Sequence, residues 1–243
     1  MKAIILSAGQ GGRLLPLTET LPKCLLSLGE KTIIEHQIDN LRACGITDVA
    51  VVTGFAAGAV ESALAGLNPS PRSIYNPFFN VADNLASCWM ARAEMTGEFV
   101  LLNGDTLFEA RICETLLSSE PAPITLAIDH KTAYDSDDMK VRLDGKRLRE
   151  VGKSLEPDNI DGESIGMMRF SSEGARRFVD TLEQIMRTPN SLSWWYLKAI
   201  GILAEQDLVY TQSIAGMKWG EVDFVQDLDN ARRLFGTPSA DPR

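Results

Sequence analysis

Three glycines and two basic residues lie close together near the amino terminus, directly after an apolar segment. Such a segment is typical of a strand buried in a parallel sheet, and open α/β sheets bind their ligands where these strands end. Gly9, Gly11 and Gly12 let backbone N–H groups approach phosphate oxygens, because no Cβ stands in the way. The planar guanidinium of Arg13 can bind two phosphate oxygens at once, and the ammonium group of Lys23 adds a compact positive charge. The pattern predicts a site for a nucleoside triphosphate, with cations that neutralise the departing pyrophosphate.

Two common phosphate-binding motifs are absent from this sequence. A dinucleotide-binding fingerprint requires a further glycine at the position of Leu14. The P-loop pattern G-x-x-x-x-G-K-[ST] does not occur anywhere in the chain. These observations exclude a Rossmann dehydrogenase and a P-loop ATPase.

A second chemical feature is a carboxylate at the end of a later apolar segment, L-L-N-G-D over 101–105. Mg²⁺ is usually held by one or two carboxylates together with substrate phosphates, so Asp105 is a candidate ligand. Gly104-Asp105 is equally typical of a β-turn. The residues alone leave both interpretations open.

The glycine loop and its two cations resemble a known family. The segment L-S-A-G-Q-G-G-R over 6–13, followed by Pro22-Lys23, is similar to the signature L-x-A-G-x-G-x-R…P-K of nucleotidyltransferases that couple an NTP to a phosphorylated metabolite. Ser7 stands where alanine is more usual. The resemblance covers nearly the whole chain and is strongest to the phosphocholine, inositol-1-phosphate and aminoalkylphosphonate cytidylyltransferases. It implies a Rossmann-like, open and mostly parallel α/β sheet flanked by helices, with a small β-rich extension on the acceptor side.

The resemblance also implies a metal site. Members of the family carry an acidic residue as a magnesium ligand at the position of Asp105, and a second one near the carboxyl terminus, which Asp223 matches. The implied cofactor is Mg²⁺. Glu221 is expected to lie nearer the acceptor, and Asp227 is expected to cap the last helix or lie in its first turn.

A nucleoside site is implied by the stretch over 76–87, which resembles a loop of the phosphocholine enzymes. Asn84 and Ser87 are candidates for hydrogen bonds to the base or ribose. A helix N-cap explains Asn84 equally well. By resemblance only, the backbone around Ala8 and Gly54 completes the pocket.

Two lysines and an aromatic run are candidates for the acceptor. Lys140 and Lys153 resemble lysines that face phosphate in the inositol-1-phosphate enzymes, and ordinary strand-surface lysines are the alternative. Trp195 is a candidate for a cation–π contact with a quaternary ammonium group. It lies between Trp194 and Tyr196 in a predicted helix, where three adjacent aromatic residues cannot share one face, so at least one is expected in the core.

The acidic run Asp135, Asp137 and Asp138 has two interpretations. Its carboxylates could attract an amine of the acceptor. A solvated acidic turn is the simpler explanation and the one we favour.

Strands and helices alternate through the first half of the chain, which predicts parallel strands with right-handed crossovers. The expected strands are 2–7, 48–53, 73–75 and 98–102, and the expected helices are one opened by a Thr32–Glu35 capping box and closed by Gly45, one over 56–67 and one from 84. In the second half we expect a hairpin of 139–143 and 147–151 around Asp144-Gly145, strands 163–170 and 208–214, and helices 172–187, 194–203 and 226–235. We expect this half to form a lid-like extension over the sheet. Residues 1–243 are expected to form a single domain, with 237–243 as a frayed tail.

The amino-acid composition limits the kinds of partner and metal that this chain is expected to bind. A net charge of −9 argues against binding nucleic acid, which requires clustered Lys and Arg. Four cysteines without a C-x-x-C pair, and only two histidines, argue against structural zinc and predict reduced thiols. No apolar run approaches the roughly 20 residues of a membrane span, and no cleavable leader is recognised, so we expect a soluble cytoplasmic protein without membrane insertion. A homodimer is left open.

The expected mechanism needs no general base. A phosphate monoester has a second pKa near ~6 and is therefore already anionic at neutral pH. In-line attack on the α-phosphorus of CTP would give a CDP-linked product and pyrophosphate, with a phosphorylated small alcohol or phosphonate as acceptor. The alternatives are a sugar-1-phosphate nucleotidyltransferase that uses UTP, GTP or dTTP, and a nucleotide-binding regulatory subunit without turnover.

Overall fold

The computed structural model of this chain describes residues 1–156 and 159–236. Within these ranges the strands are β1 (Lys2–Ser7), β2 (Asp48–Thr53), β3 (Arg72–Tyr75), β4 (Phe99–Asn103), β5 (Thr106–Phe108), β6 (Ile124–Asp129), β7 (Lys140–Asp144), β8 (Arg147–Gly152), β9 (Gly162–Phe170), β10 (Val209–Ser213) and β11 (Trp219–Glu221). The helices are α1 (Ile33–Ala43), α2 (Ala57–Ala65), α3 (Asn84–Met90), α4 (Ala110–Leu117), α5 (Ser172–Ile185), α6 (Leu197–Ala204) and α7 (Val225–Phe235). Nine strands form one mixed sheet in the order β3-β2-β1-β4-β9-β6-β10-β8-β7, and β5 pairs with β11 in a separate ribbon.

The apolar runs of the first half form the parallel part of the sheet. β1 pairs in parallel with β2 on one side and with β4 on the other, and β2 pairs with β3. Ala3, Ile4 and Ile5 are fully buried, as expected for a strand covered on both faces. One face of the sheet packs against α1, α2 and α4, and the other packs against α3, α5 and α6. The predicted α/β fold with flanking helices is confirmed, but the sheet is mixed and not mostly parallel, because β9 runs antiparallel to both β4 and β6.

The second half extends this sheet. β7 and β8 form the predicted hairpin, in which Gly145 has a φ of 60° that favours glycine. β8 pairs with β10, and β7 pairs with the start of β9. The expectation that this half lies over the sheet as a lid is therefore wrong for the hairpin. Backbone N–H and C=O groups along β9 and β10 need hydrogen-bond partners, and the two hairpin strands provide these partners.

The aromatic run Trp194, Trp195 and Tyr196 does not lie in a helix, contrary to the sequence prediction, since α6 begins at Leu197. The run is docked instead against the start of α3. The N–H of Leu85 donates to the carbonyl of Trp194 (3.3 Å), and the backbone of Trp194 is extended. The expectation that one of the three belongs to the core is confirmed, because Tyr196 is buried.

The predicted start and end of α1 are confirmed. The Thr32 N–H donates to Glu35 Oε2 (2.7 Å), and the Glu35 N–H donates back to Thr32 Oγ1 (3.4 Å), which is a capping box. Gly45 follows the helix with a φ of 80°.

Three further expectations concern the chain as a whole. None of the helices in the described ranges is long and apolar enough to cross a membrane. All four cysteines have free thiols, as predicted. The tail predicted over 237–243 lies outside the described residues.

Candidate active site

β1 and β4 deliver the two halves of the predicted site to one edge of the sheet. Because the strands are parallel neighbours, their carboxyl ends coincide, and Leu6 lies opposite Asn103. The chain then turns at Gly104, whose N–H donates to the carbonyl of Leu6 (2.9 Å). A Cβ at Gly104 would lie 2.5 Å from that carbonyl oxygen, so only glycine allows the close approach that places Asp105 beside the glycine loop.

The glycine loop is fixed by its own side chains. The buried Thr18 donates its hydroxyl to the carbonyl of Gly11 (2.8 Å). Gly11 has a φ of 81°, and a Cβ there would lie 3.0 Å from Lys23 Cβ. The glycine therefore lets the loop lie directly against the aliphatic part of Lys23. Thr18 gave no signal in the sequence, because a single threonine in a loop is ordinary.

The ribbon of β5 and β11 brings Asp223 to Asp105. Thr106 lies opposite Glu221 in this ribbon, and the N–H of Val222 donates to the carbonyl of Asp105 (3.2 Å). The two carboxylates, far apart in the sequence, thus become neighbours.

Asp223 also lies just before α7. Asp227 Oδ2 accepts from the N–H groups of Asp223 (3.1 Å) and Phe224 (2.7 Å), which confirms that Asp227 lies in the first turn and caps the helix. The cap fixes the backbone that carries Asp223.

Lys23 lies between the two carboxylates. Its Nζ donates to Asp105 Oδ2 (2.9 Å) and Asp223 Oδ1 (2.8 Å), and 12% of its side chain is exposed. Burial alone would lower the pKa of Lys23, but the charges and hydrogen bonds of Asp105 and Asp223 outweigh it and raise the pKa. The site therefore holds a fixed ammonium group.

Arg13 extends this network outward. Its guanidinium donates to Asp223 Oδ2 (3.2 Å) and to Asp137 Oδ2 (2.9 Å), and it lies over the ring of Phe224 at 5.0 Å from the centroid. Lys153 donates to the other oxygen of Asp137 (3.0 Å). A continuous chain of alternating charges thus runs across the site. Asp137 was not predicted as a site residue, because an acidic turn gives no sign of its distant partners.

A cavity of about 520 Å³, which we call the glycine-loop cavity, lies at this edge of the sheet. Its walls contain most of the predicted nucleotide and metal residues. The lining residues are Leu6, Ser7, Gly9, Gly11, Gly12, Arg13, Lys23, Cys24, Asp83, Asn84, Asn103, Gly104, Asp105 and Asp223.

Three predicted nucleotide residues lie behind this wall and do not line the cavity. Ala8 is buried, and its carbonyl accepts from the N–H of Phe55 (2.9 Å). A Cβ at Gly54 would lie 2.5 Å from the same carbonyl oxygen. Ser87 is 5% exposed, and its hydroxyl accepts from Asn76 Nδ2 (3.1 Å). These residues pack the loop against its neighbours.

Asn84 reaches the cavity wall as the first residue of α3, whose N-cap is Asp83. The N-cap alternative for Asn84 is therefore wrong, because the chain enters the helix one residue earlier. Its Oδ1 accepts from the N–H of Tyr196 (2.9 Å), and the Tyr196 hydroxyl donates to Asn103 Oδ1 (3.1 Å). The buried tyrosine thus holds both asparagines at the cavity.

A second cavity, of about 440 Å³, meets the first at Asp223. We call it the acidic cavity, because carboxylates dominate its lining. The lining residues are Lys131, Asp135, Ser136, Asp137, Asp138, Glu163, Trp219, Gly220, Glu221, Asp223, Phe224, Asp227, Asn230, Ala231, Leu234 and Phe235.

Glu221 and Glu163 hold their protons more tightly than ordinary carboxyl groups. Glu221 lines the acidic cavity, and the residue is exposed there. Enclosure by the protein, followed by the charges of Asp105 and Asp223, raises the pKa of Glu221 to about 8. Glu163 is buried beside Lys131 (2.8 Å), and burial raises its pKa to about 7.

The acceptor candidates take different positions. Lys140 is 5% exposed, and its Nζ donates to the carbonyls of Lys153 (2.8 Å) and Asp138 (3.3 Å), so it lines neither of these two cavities. The alternative of a strand-surface lysine is therefore wrong for Lys140. Lys153 reaches the charged network, and Trp195, 41% exposed, lies beneath its ammonium at 4.9 Å.

The carboxylates suit one kind of metal better than another. Asp105 Oδ1 is buried and accepts no hydrogen bond within the described chain, which leaves an oxygen free for a cation. No group of three or more His, Cys, Asp or Glu in the described residues is arranged to hold a metal. Two carboxylates suit Mg²⁺, which takes its other ligands from phosphates and water, and do not suit structural zinc.

Comparison with known proteins agrees with this architecture. The family model described as nucleotidyl transferase matches residues 2–128. The choline-phosphate cytidylyltransferase of Streptococcus pneumoniae is 32% identical over 93% of this chain and 95% of its own length. The bifunctional IPC transferase and DIPP synthase of Aquifex aeolicus is 25% identical over 96% of this chain, which spans about half (51%) of that relative.

Solved structures show the same fold. The inositol-1-phosphate CTP transferase of T. maritima superposes with a TM-score of 0.82 at 16% identity, covering 98% of this chain and 97% of the other. With the fold, the glycine loop and the family match in agreement, this chain belongs to the nucleotidyl transferase family.

Proposed function

We propose that this protein is a cytidylyltransferase that transfers CMP from CTP to a phosphorylated small alcohol or phosphonate, with phosphocholine or inositol-1-phosphate as model acceptors. The products are a CDP-linked compound and pyrophosphate. One observation carries the proposal: Lys23 lies between Asp105 and Asp223, beside a glycine loop that also presents Arg13. The names of the relatives support CTP as the nucleotide.

The triphosphate binds in the glycine-loop cavity. Backbone N–H groups of Gly9, Gly11 and Gly12 approach its oxygens, and nothing lies within 4 Å of where a Cβ would stand at Gly9 or Gly12. Arg13 and Lys23 supply fixed positive charge. Because Asp223 already holds both cations in the folded protein, little reorganisation is needed as charge develops on the leaving pyrophosphate.

The nucleoside lies toward Asn84 and Asn103, whose orientations Tyr196 fixes. Ala8, Gly54 and Ser87 act indirectly, by holding the wall of this pocket. Their tight packing supports this role, since a Cβ at Gly54 would overlap both Ala8 and Phe79.

Asp105 and Asp223 are the residues that would hold Mg²⁺, with the free Asp105 Oδ1 as the most available oxygen. When bound, the ion supplies charge neutralisation for the phosphates.

The acceptor enters from the acidic cavity, on the other side of Asp223. Lys153 binds its phosphate, and Glu221 faces the remainder of the molecule. Lys140 positions Lys153 by donating to its carbonyl, and Trp195 supports the Lys153 ammonium from below. The acceptor phosphate is already anionic, so the protein's task is to align it for in-line attack on the α-phosphorus.

The test is pyrophosphate release with Mg²⁺ and each of CTP, UTP, GTP, ATP and dTTP. These are crossed against phosphocholine, phosphoethanolamine, aminoethylphosphonate, inositol-1-phosphate, glycerol phosphates and hexose-1-phosphates. A signal restricted to CTP with a non-sugar acceptor supports the proposal. A UTP, GTP or dTTP signal with a hexose-1-phosphate would make the protein a sugar-1-phosphate nucleotidyltransferase. CTP binding without release across the panel would favour a regulatory subunit.

A further inference from the structure

The carboxylate of Asp137 lies between two cations that the proposed function assigns to different substrates. Its Oδ2 accepts from Arg13 (2.9 Å) and its Oδ1 from Lys153 (3.0 Å). Arg13 lines the glycine-loop cavity, whereas Lys153 lines neither this cavity nor the acidic cavity and is assigned to the acceptor by the proposed function. One carboxylate therefore joins the two halves of the site.

The loop that carries Asp137 is folded by other groups. Asp135 Oδ1 accepts from the N–H groups of Asp137 (2.7 Å) and Asp138 (3.1 Å), and Asp138 Oδ2 accepts from the N–H of Asp135 (2.9 Å). Lys131 anchors Asp138 at 3.0 Å. The side chain of Asp137 takes no part in these bonds, so its charge can be removed without unfolding the loop.

The arrangement resembles the binding of a phosphate group. Two oxygens of one anion each meet a different cation, as two oxygens of a bound phosphate would. Lys153 and then Arg13 lower the pKa of Asp137, so the group is an anion at neutral pH. The carboxylate thus occupies the place where the triphosphate and the acceptor phosphate must meet.

We propose that Asp137 is an internal competing anion that occupies Arg13 and Lys153 in the substrate-free enzyme and gives up this place to the substrate phosphates. The inference rests on the proposed function, because it takes both cations to be phosphate ligands. The Asp137 and Arg13 side chains are each about half exposed, and exposed ion pairs contribute little stability. A polyanionic ligand therefore displaces the carboxylate at small cost.

The proposal predicts that Asp137→Asn binds phosphates more tightly than the wild type. Isothermal titration calorimetry with pyrophosphate, and separately with CTP, should show affinity about two- to fivefold higher for the variant, because no internal anion competes. Asp137→Glu, which restores the charge, should return the affinity toward the wild-type value.

The matched control is Asp48→Asn. Asp48 pairs with Arg72 at 2.7 Å with similar exposure, but it starts β2 at the opposite end of the sheet. The control removes the same charge and should leave affinity unchanged. In a Lys153→Ala background the gain from Asp137→Asn should shrink.

Equal or weaker binding by Asp137→Asn would overturn the inference, as would an equal gain in Asp48→Asn. If Asp137→Asn behaves like the wild type while both bind CTP, only this inference fails. If the wild type binds neither CTP nor pyrophosphate, the proposed function fails, and this inference fails with it.

Discussion

The glycine-loop cavity and the acidic cavity share Asp223 and are built in opposite ways. The first is formed mainly by the end of β1 with the loop that follows it and by the end of β4, with the start of α3 beside them, and it presents backbone N–H groups with Arg13 and Lys23. The second collects side chains from β9, β11, α7 and the loop before β7. Among its described lining residues Lys131 is the only basic one.

This difference separates two tasks in the proposed reaction. A triphosphate offers the same charge in every nucleotide, so a rigid loop with fixed cations suffices to bind it. The acceptor must be distinguished by the rest of its structure, and the acidic cavity proposed to receive it is lined by carboxylates and by Trp219 and Phe224. We therefore expect substitutions on the first side to affect turnover, and those on the second to affect acceptor choice and pH dependence.

The largest effect is expected when the charge of Lys23 or of Asp223 is removed. Lys23→Ala and Asp223→Asn should each lower turnover by about 10²- to 10³-fold, because each removes a fixed charge beside the reacting phosphates. Pyrophosphate release measures this, and circular dichroism should show an unchanged fold. Lys31→Ala, which removes an exposed lysine paired with Asp39, should be nearly neutral. Near-normal turnover in either site variant would remove that residue from the mechanism.

A smaller effect tests the rigidity of the glycine-loop side. Gly104→Ala should lower the free energy of unfolding by about 1–3 kcal/mol, since the new Cβ would overlap the carbonyl of Leu6. Gly9→Ala is the matched control, because its Cβ would enter open space. Urea unfolding measures both. Equal stability of the two variants would contradict the close approach of β1 and the 104–105 turn.

The smallest expected effect is on the pH dependence of stability, and it concerns Glu163 in the acidic cavity. The pKa of Glu163 is raised from 4.5 to about 7, so between these values the folded state keeps a proton that the unfolded state has released. Stability should therefore fall as pH rises through this window. The free energy of unfolding of Glu163→Gln, measured relative to that of the wild type, should therefore rise by about 1–2 kcal/mol between pH 5 and pH 8.

Thermal melts at both pH values measure this change. Glu120→Gln, which removes an exposed carboxylate paired with Lys146, controls for the loss of a charge. The same pH-dependent gain in Glu120→Gln would refute the assignment to Glu163.

The difference between the two cavities also explains which parts of the site could be predicted from the sequence. The strand over 2–7 and the glycine loop are local patterns, and parallel strands end at one edge, so the sequence placed Gly9, Arg13 and Asp105 near one another. Asp223 could be paired with Asp105 only through the family resemblance, because nothing in the spacing indicates that β11 pairs with β5.

Away from the glycine loop, local patterns were less informative. Lys140 lies in an alternating strand and gives no sign that its ammonium is turned toward backbone carbonyls. Trp194–Tyr196 precede an apolar helix, and their apolar character made the helix appear to begin too early. Asp137 belongs to an acidic turn whose partners, Arg13 and Lys153, come from distant parts of the chain. Contacts between distant segments decide these positions.

We propose that nucleotidyl transfer takes place where the two cavities meet, at Asp223. A ³¹P NMR time course of the protein with CTP, Mg²⁺ and the acceptor panel tests it most directly, because the technique follows substrate, pyrophosphate and product together. New resonances of a CDP-linked product should grow together with those of pyrophosphate, and both should be lost in Lys23→Ala. Pyrophosphate formation that is undiminished in Lys23→Ala, or a product formed only from another nucleotide, would contradict it.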